Sequence, residues 1–335
     1  MKIIIIVLTC FLLPPTSYAA PDRNSEHARK TLEIYKHIIE VETSKNLGNV
    51  PKVAQYLADE LIAAGFPKED VEVLAVGETA ALIARYRGND SSGKSPILLL
   101  GHMDVVEARP EDWERPPFEL THDDTYFYAR GTLDNKFGVA QITSTFIRLM
   151  KEGFTPNRDL IIVFSGDEES SMDSTKVLAY EREDLARAEF ALNSDAGGGD
   201  LGADGEALVY LIQAAEKTYV TWELTTRNPG GHSSRPRPDN AIYDLANAIV
   251  KIQQYRFPVR WNDMTLEFFD ETGHQMGGEL GDAMIRFASD PTDKAAADRL
   301  AIESSYVGTT RTTCVVTCCG PAMQKMPSPN RPLQP

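Results

Sequence analysis

Cysteine is almost absent from the body of this 335-residue chain: Cys10 stands near the start, and Cys314, Cys318 and Cys319 crowd towards the end. Neither a disulfide framework nor a thiolate metal site therefore holds the centre together. Positive charge is also scarce. Lys and Arg number 34 against 49 Asp and Glu, a formal net charge of −15, and such a surface repels nucleic acid. Beyond Ala20 no stretch approaches the roughly 20 apolar residues of a membrane-spanning helix. What is present is globular in balance. With 42% hydrophobic and 25% charged residues, the chain suffices for one large domain or two smaller ones.

The N-terminus reads as an export signal. Lys2 supplies the positive start, Ile3 to Leu13 the apolar run, and Ser17-Tyr18-Ala19 the cleavage positions. The run is short for an anchor. Residues 1–19 are expected to be removed and the mature protein to be soluble, periplasmic or extracellular.

Across 20–214, helix and strand patterns alternate. Ala28 to Glu42 carries Leu32, Tyr35, Ile38 and Ile39 at helical spacing, and Val53 to Ala64 repeats the pattern. Short apolar runs of buried-strand type follow at Val71–Val76, Ala80–Tyr86, Ile97–Leu100 and Leu160–Phe164. Between the last two, a helix begins after Asp134, a good N-cap. It points Phe137, Val139, Ala140, Ile142 and Phe146 at a core and ends at Gly153. Strand, helix, strand predicts an α/β fold, a mostly parallel sheet with helices on both faces. From 215 to 317 the texture changes. Thr218 to Thr226 alternates like a half-exposed strand, Asn228-Pro229-Gly230-Gly231 turns, and a helix runs from about Asn240 to Tyr255. This predicts a smaller α+β unit. After Val316 periodicity stops, and 318–335 does not look native.

Ligands of a parallel sheet collect at the carboxyl ends of its strands. Gly101-His102-Met103-Asp104 follows one apolar run, Asp167-Glu168-Glu169 another and Asn193-Ser194-Asp195 a third; Asp134 precedes the helix. Singly, each has a plain reading: a hydrogen-bonded histidine, a helix cap, a solvated helix start, a turn aspartate. Together they place uncompensated acids at one edge, where a bound cation removes their repulsion. One imidazole, several carboxylates and no thiolate suit zinc or a similar divalent ion in an open hydrolytic site. His102 and Asp104 lie two apart on extended chain and point the same way, so Asp104 is placed to orient the imidazole. Adjacent glutamates suit a division between metal ligand and general base.

The runs Leu99 to Val106 (LLGHMDVV), Arg130 to Gly138 (RGTLDNKFG) and Asp167-Glu168-Glu169 together resemble the three core motifs of the aminoacylase, carboxypeptidase-G and succinyl-diaminopimelate desuccinylase family of two-zinc peptidases and amidohydrolases. The likeness extends over roughly residues 30 to 315. It implies that His102 and Asp195 bind one zinc, Asp134 bridges both, and Glu169 binds the other. Glu168 is then the general base, and Asp104 supports the His102 site. Gly230-Gly231-His232-Ser233-Ser234 resembles the family's lid motif, which implies that His232 helps polarise the scissile carbonyl. In dimeric members that histidine crosses from the partner subunit, so 215–317 would be an incomplete lid and dimerisation domain. Two departures stand out. Ser170-Ser171-Met172 replaces glycines found in many members, and the last catalytic stretch, with its final metal-binding histidine, has no counterpart here.

The resemblance implies an exported zinc-dependent hydrolase of small peptides or N-acyl amino acids, with neither nucleic acid nor a membrane as partner. The alternative is an inactive truncated remnant or a peptide-binding module; a two-metal phosphoesterase is disfavoured by the motif order. Arg235 and Arg311 lie near the lid motifs as candidate carboxylate binders. Read one nucleotide earlier, the codons of Met323 to Asn330 admit Gly-His-Ala-Glu-Asn-Ala-Leu-Pro-Gln, which resembles a lid segment. A frameshift near residue 317 is therefore expected. Resequencing the gene beyond residue 310 checks this: one missing or extra base should reopen a frame, whereas no such downstream frame contradicts it.

Overall fold

The computed structural model describes residues 22, 24–196, 198–201, 207–213 and 216–317. The expected signal segment and the tail from 318, with Cys318 and Cys319, lie outside the described residues. Two units separate, one ending at Glu216 and the other starting at Lys217.

In the first unit, α1 (Glu26–Ile39) starts at Ser25, whose hydroxyl accepts the Ala28 N–H, and α2 (Val50–Ala63) has a proline in its first turn. Strands β1 (Val71–Val76) and β2 (Thr79–Tyr86) form a hairpin across Gly77-Glu78. Gly77 has φ +58, which a tight two-residue turn requires. Next come β3 (Ile97–His102), the small ribbon β4 (Thr121–His122) and β5 (Phe127–Tyr128), and α3 (Lys136–Lys151). Then follow β6 (Leu160–Ser165), α4 (Asp173–Tyr180), α5 (Glu183–Ala186), β7 (Phe190–Asn193), β8 (Gly198–Leu201) and β9 (Ala207–Leu211).

The main sheet has the order β1-β2-β6-β3-β7. β6-β3 and β3-β7 pair parallel, whereas β1-β2 and β2-β6 pair antiparallel. Four of the five strands thus run the same way and β2 runs against them, so the sheet is mixed. A two-residue turn leaves no length for the crossover that a parallel neighbour needs.

Alternate residues face opposite sides of the sheet. Leu82, Ala84, Ile162 and Phe164 pack with Ile38, Leu61 and Phe146 of α1, α2 and α3. Ala81, Ile83, Ile161 and Val163 pack with Leu178 of α4 and Leu185 of α5. Helices therefore cover both faces. Two residues expected to face the core are instead 45% exposed, Leu32 and Phe137. Leu32 sits at the margin of the α1 stripe. Phe137, in the first turn of α3, rests edge-on against the Tyr35 ring, with centroids 6.0 Å apart.

The second unit contains α6 (Ala241–Gln254), α7 (Asp263–Met276), α8 (Gly278–Ser289), α9 (Lys294–Leu300) and α10 (Ser304–Thr310). Side chains of Asn240, Asn262 and Asp293 cap α6, α7 and α9, and Phe269, Met284, Phe287 and Leu300 form the core. Thr218–Thr226 forms no strand among the described residues, with Tyr219 87% and Trp222 78% exposed. Alternation makes a strand only where a neighbouring edge takes up its backbone groups. The described part of this unit is thus helical with one isolated bridge, Val259 to Arg311, where an α+β unit was expected. No described helix is long and apolar enough to cross a membrane.

Gly166 follows β6 against the hairpin, where an added Cβ would overlap the Ala80 carbonyl oxygen and lie 2.5 Å from the Thr79 hydroxyl. Gly166→Ala should cost about 1–3 kcal/mol of stability by urea unfolding. A change below about 0.5 kcal/mol, the size of an ordinary surface substitution, would contradict this packing.

Candidate metal centre

The carboxyl ends of β3, β6 and β7 lie side by side. β3 delivers His102 opposite Ser165 of β6; the chain past β6 brings Glu168 and Glu169, and the chain past β7 brings Asp195. Asp134 arrives just before α3, through a cis Asp134-Asn135 peptide. The helix cap is Asn135, and no side chain caps this end. Asp134 is therefore not the N-cap expected from its position, and its carboxylate is left for His102.

His102 is 2% exposed. Its Nε2 lies 2.9 Å from Asp134 Oδ1 and 3.6 Å from Asp195 Oδ1. Its Nδ1 lies 3.0 Å from the Asp104 carbonyl oxygen and 3.4 Å from Asp104 Oδ1, which places Asp104 behind the ring. The Asp104 carboxylate also accepts the main-chain N–H groups of Glu168 and Glu169, each at 3.0 Å. The His-x-Asp spacing shows the first role and gives no sign of the second, because the glutamates arrive from a separate strand. Asp167 turns the other way. It accepts the N–H groups of Asp173 and Ser174 at 2.7 and 3.0 Å and the hydroxyls of Ser171 and Ser174, so it secures the start of α4. Ser171, one of the residues that replace glycine, has its partner there.

Two trios have ligand atoms all within 4.8 Å of one another: His102 with Asp134 and Asp195, and His102 with Glu168 and Glu169. An ion bonded at about 2.0–2.2 Å to imidazole and carboxylate closes either trio with small side-chain rotations, so the residues fit a divalent ion. The electrostatics agree. Burial alone lowers the His102 pKa, but the hydrogen bond and charge of Asp104, then Asp195 and Asp134, outweigh it and raise it to about 9. Burial first, then neighbouring acids, raise Glu168 and Glu169. Asp195 is raised by burial, partly opposed by His102.

His232 belongs to the second unit and is exposed. Its Nδ1 accepts the Ser234 N–H at 3.2 Å, which leaves the ring proton on Nε2. Arg235 is exposed. Arg311 is 8% exposed and donates to the Ala297 carbonyl, a packing role within the second unit.

A buried imidazole ringed by carboxylates at the carboxyl edge of an α/β sheet is a donor set that suits a divalent ion. The chain belongs to peptidase family M20/M25/M40, whose model matches residues 98–292. It is 36% identical over 166 residues to the N-fatty-acyl-amino acid synthase/hydrolase PM20D1 of Xenopus tropicalis, covering 49% of this chain and 32% of that protein. A probable succinyl-diaminopimelate desuccinylase of Staphylococcus aureus is 36% identical over 155 residues, covering 45% of this chain and 36% of that protein. Human carnosine dipeptidase 1 superposes with a TM-score of 0.45 at 18% identity, over 52% of this chain and 41% of that one. The chain thus spans about a third of the length of these two curated relatives.

Raised pKa values mean that the folded, metal-free protein holds protons more tightly than the unfolded chain. The stabilisation carried by protonated His102 is complete below its ordinary value of 6.5 and is lost as pH rises to about 9. The raised carboxylates act with the same sign at lower pH. Buried Lys136, pushed down to about 7 by desolvation, acts with the opposite sign over the same range, so the imidazole itself is the readout. In chelator-stripped protein the His102 ring resonances should titrate at about 9, and added Zn²⁺ should hold the ring unprotonated. A His102 ring that titrates at its ordinary value of 6.5 in the stripped protein would contradict this shift.

Proposed function

We propose that this chain carries the catalytic apparatus of an exported two-zinc amidohydrolase that cleaves an amide bond in small peptides or N-acyl amino acids. The observation that carries the reading is the pair of overlapping trios on His102, with Glu168 and Glu169 set side by side by the Asp104 carboxylate. His102, Asp134 and Asp195 would hold one ion, and Asp134 and Glu169 would contribute to the other. Bound there, the ions supply Lewis acidity towards a carbonyl and towards water.

Glu168 has the environment of a general base. Its pKa is raised above the ordinary carboxylate value by burial and by neighbouring acids, which makes it a better acceptor for a proton from the attacking water and a donor to the leaving nitrogen. His232, with its proton on Nε2, is equipped to donate to an oxyanion. Family relatives named for N-fatty-acyl-amino acid hydrolysis and for desuccinylation support an N-acylated amino acid as substrate. In this reading residues 1–19 direct export, 20–214 form the catalytic domain, and 215–317 form the lid through which two copies pair. Binding without turnover is the second reading; in its favour, both trios draw on the same imidazole.

The test is Glu168→Gln, assayed on dipeptides and N-acyl amino acids alongside zinc content. Turnover should fall by about 10²–10⁴ with zinc retained. Retained turnover removes Glu168 as the base, and a zinc-loaded parent that hydrolyses nothing favours the binding module.

A further inference from the structure

Each residue of the first trio has a neighbour in sequence that meets the other two neighbours: Gly101 beside His102, Asn135 beside Asp134, and Ser194 beside Asp195. Asn135 is fully buried. Its Oδ1 accepts the Ser194 hydroxyl at 3.0 Å and lies 3.4 Å from the His102 main-chain nitrogen, and its Nδ2 lies 3.4 Å from Asp195 Oδ1. The Ser194 hydroxyl also lies 3.1 Å from the Leu100 carbonyl oxygen, the atom that accepts the Ser194 N–H at 3.2 Å. A fully buried carboxamide is retained only where its partners satisfy it, and here those partners belong to the other two segments that carry the trio.

Space for this junction is made by two glycines. A Cβ on Gly101 would stand 2.8 Å from Asn135 Oδ1 and 3.2 Å from Ser194 Oγ. A Cβ on Gly138, in α3, would overlap Ser194 Oγ and stand 2.5 Å from the Ser194 Cβ. Alanine is otherwise the better helix residue, so the close approach of Ser194 accounts for the glycine.

We propose that Asn135, locked by Ser194, is a positioning residue of the metal centre. It sets the end of β3, the start of α3 and the end of β7 against one another, so that His102, Asp134 and Asp195 stand at ligand spacing before an ion arrives. It touches neither ion nor substrate, and acts on the ion these three would share. The inference rests on the metal reading above.

The experiment titrates the full chain with Zn²⁺ against a chromophoric chelator and records the visible spectrum with Co²⁺ in its place. Parent, Ser194→Ala, Asn135→Ala and Gly138→Ala proteins are compared, with metal-free melting curves beside them. Loss of an orienting partner around ligands weakens metal binding by about 10–100-fold. That loss is expected on the tighter ion, with an altered Co²⁺ spectrum and a metal-free melting temperature close to the parent's for Ser194→Ala. Gly138→Ala should weaken binding in the same way by displacing Ser194. If Asn135→Ala does not fold, Ser194→Ala, which removes one oxygen, decides. Folded variants that bind Zn²⁺ within threefold of the parent, with an unchanged spectrum, overturn the proposal alone. A parent that takes up no Zn²⁺ overturns the metal reading and this inference together.

Discussion

Repulsion among five carboxylates gathered around one imidazole is the constraint on which the rest of this structure depends. Two unit charges 4 Å apart repel by about 4 kcal/mol at an effective dielectric of 20, and the carboxylates of Asp134 and Asp195, and those of Glu168 and Glu169, have oxygens within 4.8 Å of each other. Part of the charge is met within the protein. Asp104 is engaged by two main-chain N–H groups and by His102. Against the cost of burial, Asp104 first, then Asp195 and Asp134, favour a proton on His102 in the metal-free state, which raises its pKa to about 9. A divalent ion meets the same charge at a distance no proton can share among several oxygens.

The fold exists, in this sense, to hold that arrangement still. Helices on both faces clamp β6 and β3, and β7, exposed at the sheet edge, is held by its parallel pairing with β3. His102 and Ser165 are paired at the finish of their strands. The Asp-Glu-Glu run then divides its labour by geometry. Asp167 secures the α4 start, which fixes the backbone on which Glu168 and Glu169 turn towards His102.

Features that depend on a few consecutive residues were legible in the sequence: the apolar runs of β3 and β6, the helix ending at Gly153, and the acids standing after each run. The family motifs placed His102, Asp134, Glu168, Glu169 and Asp195 on one edge, and the structure brings these five together. What depended on a partner far along the chain was not legible. The β1-β2 hairpin was readable only as two apolar runs, because pairing direction is decided by the turn and not by composition. Thr218–Thr226 has the alternation of a strand, but no described edge pairs with it. Asp134 looked like a cap, and the true cap is its neighbour. Asn135 carried no signal at all, since a buried amide is recognised only by what surrounds it.

The central claim is that the edge of this sheet is a divalent-metal site built on His102. Anomalous X-ray scattering at the zinc edge, from crystals of the protein grown with Zn²⁺, tests it most directly. A peak is expected about 2.0–2.2 Å from His102 Nε2 and from carboxylate oxygens of Asp134 and Asp195. Zinc bound elsewhere on the protein, with no peak at His102, would contradict it.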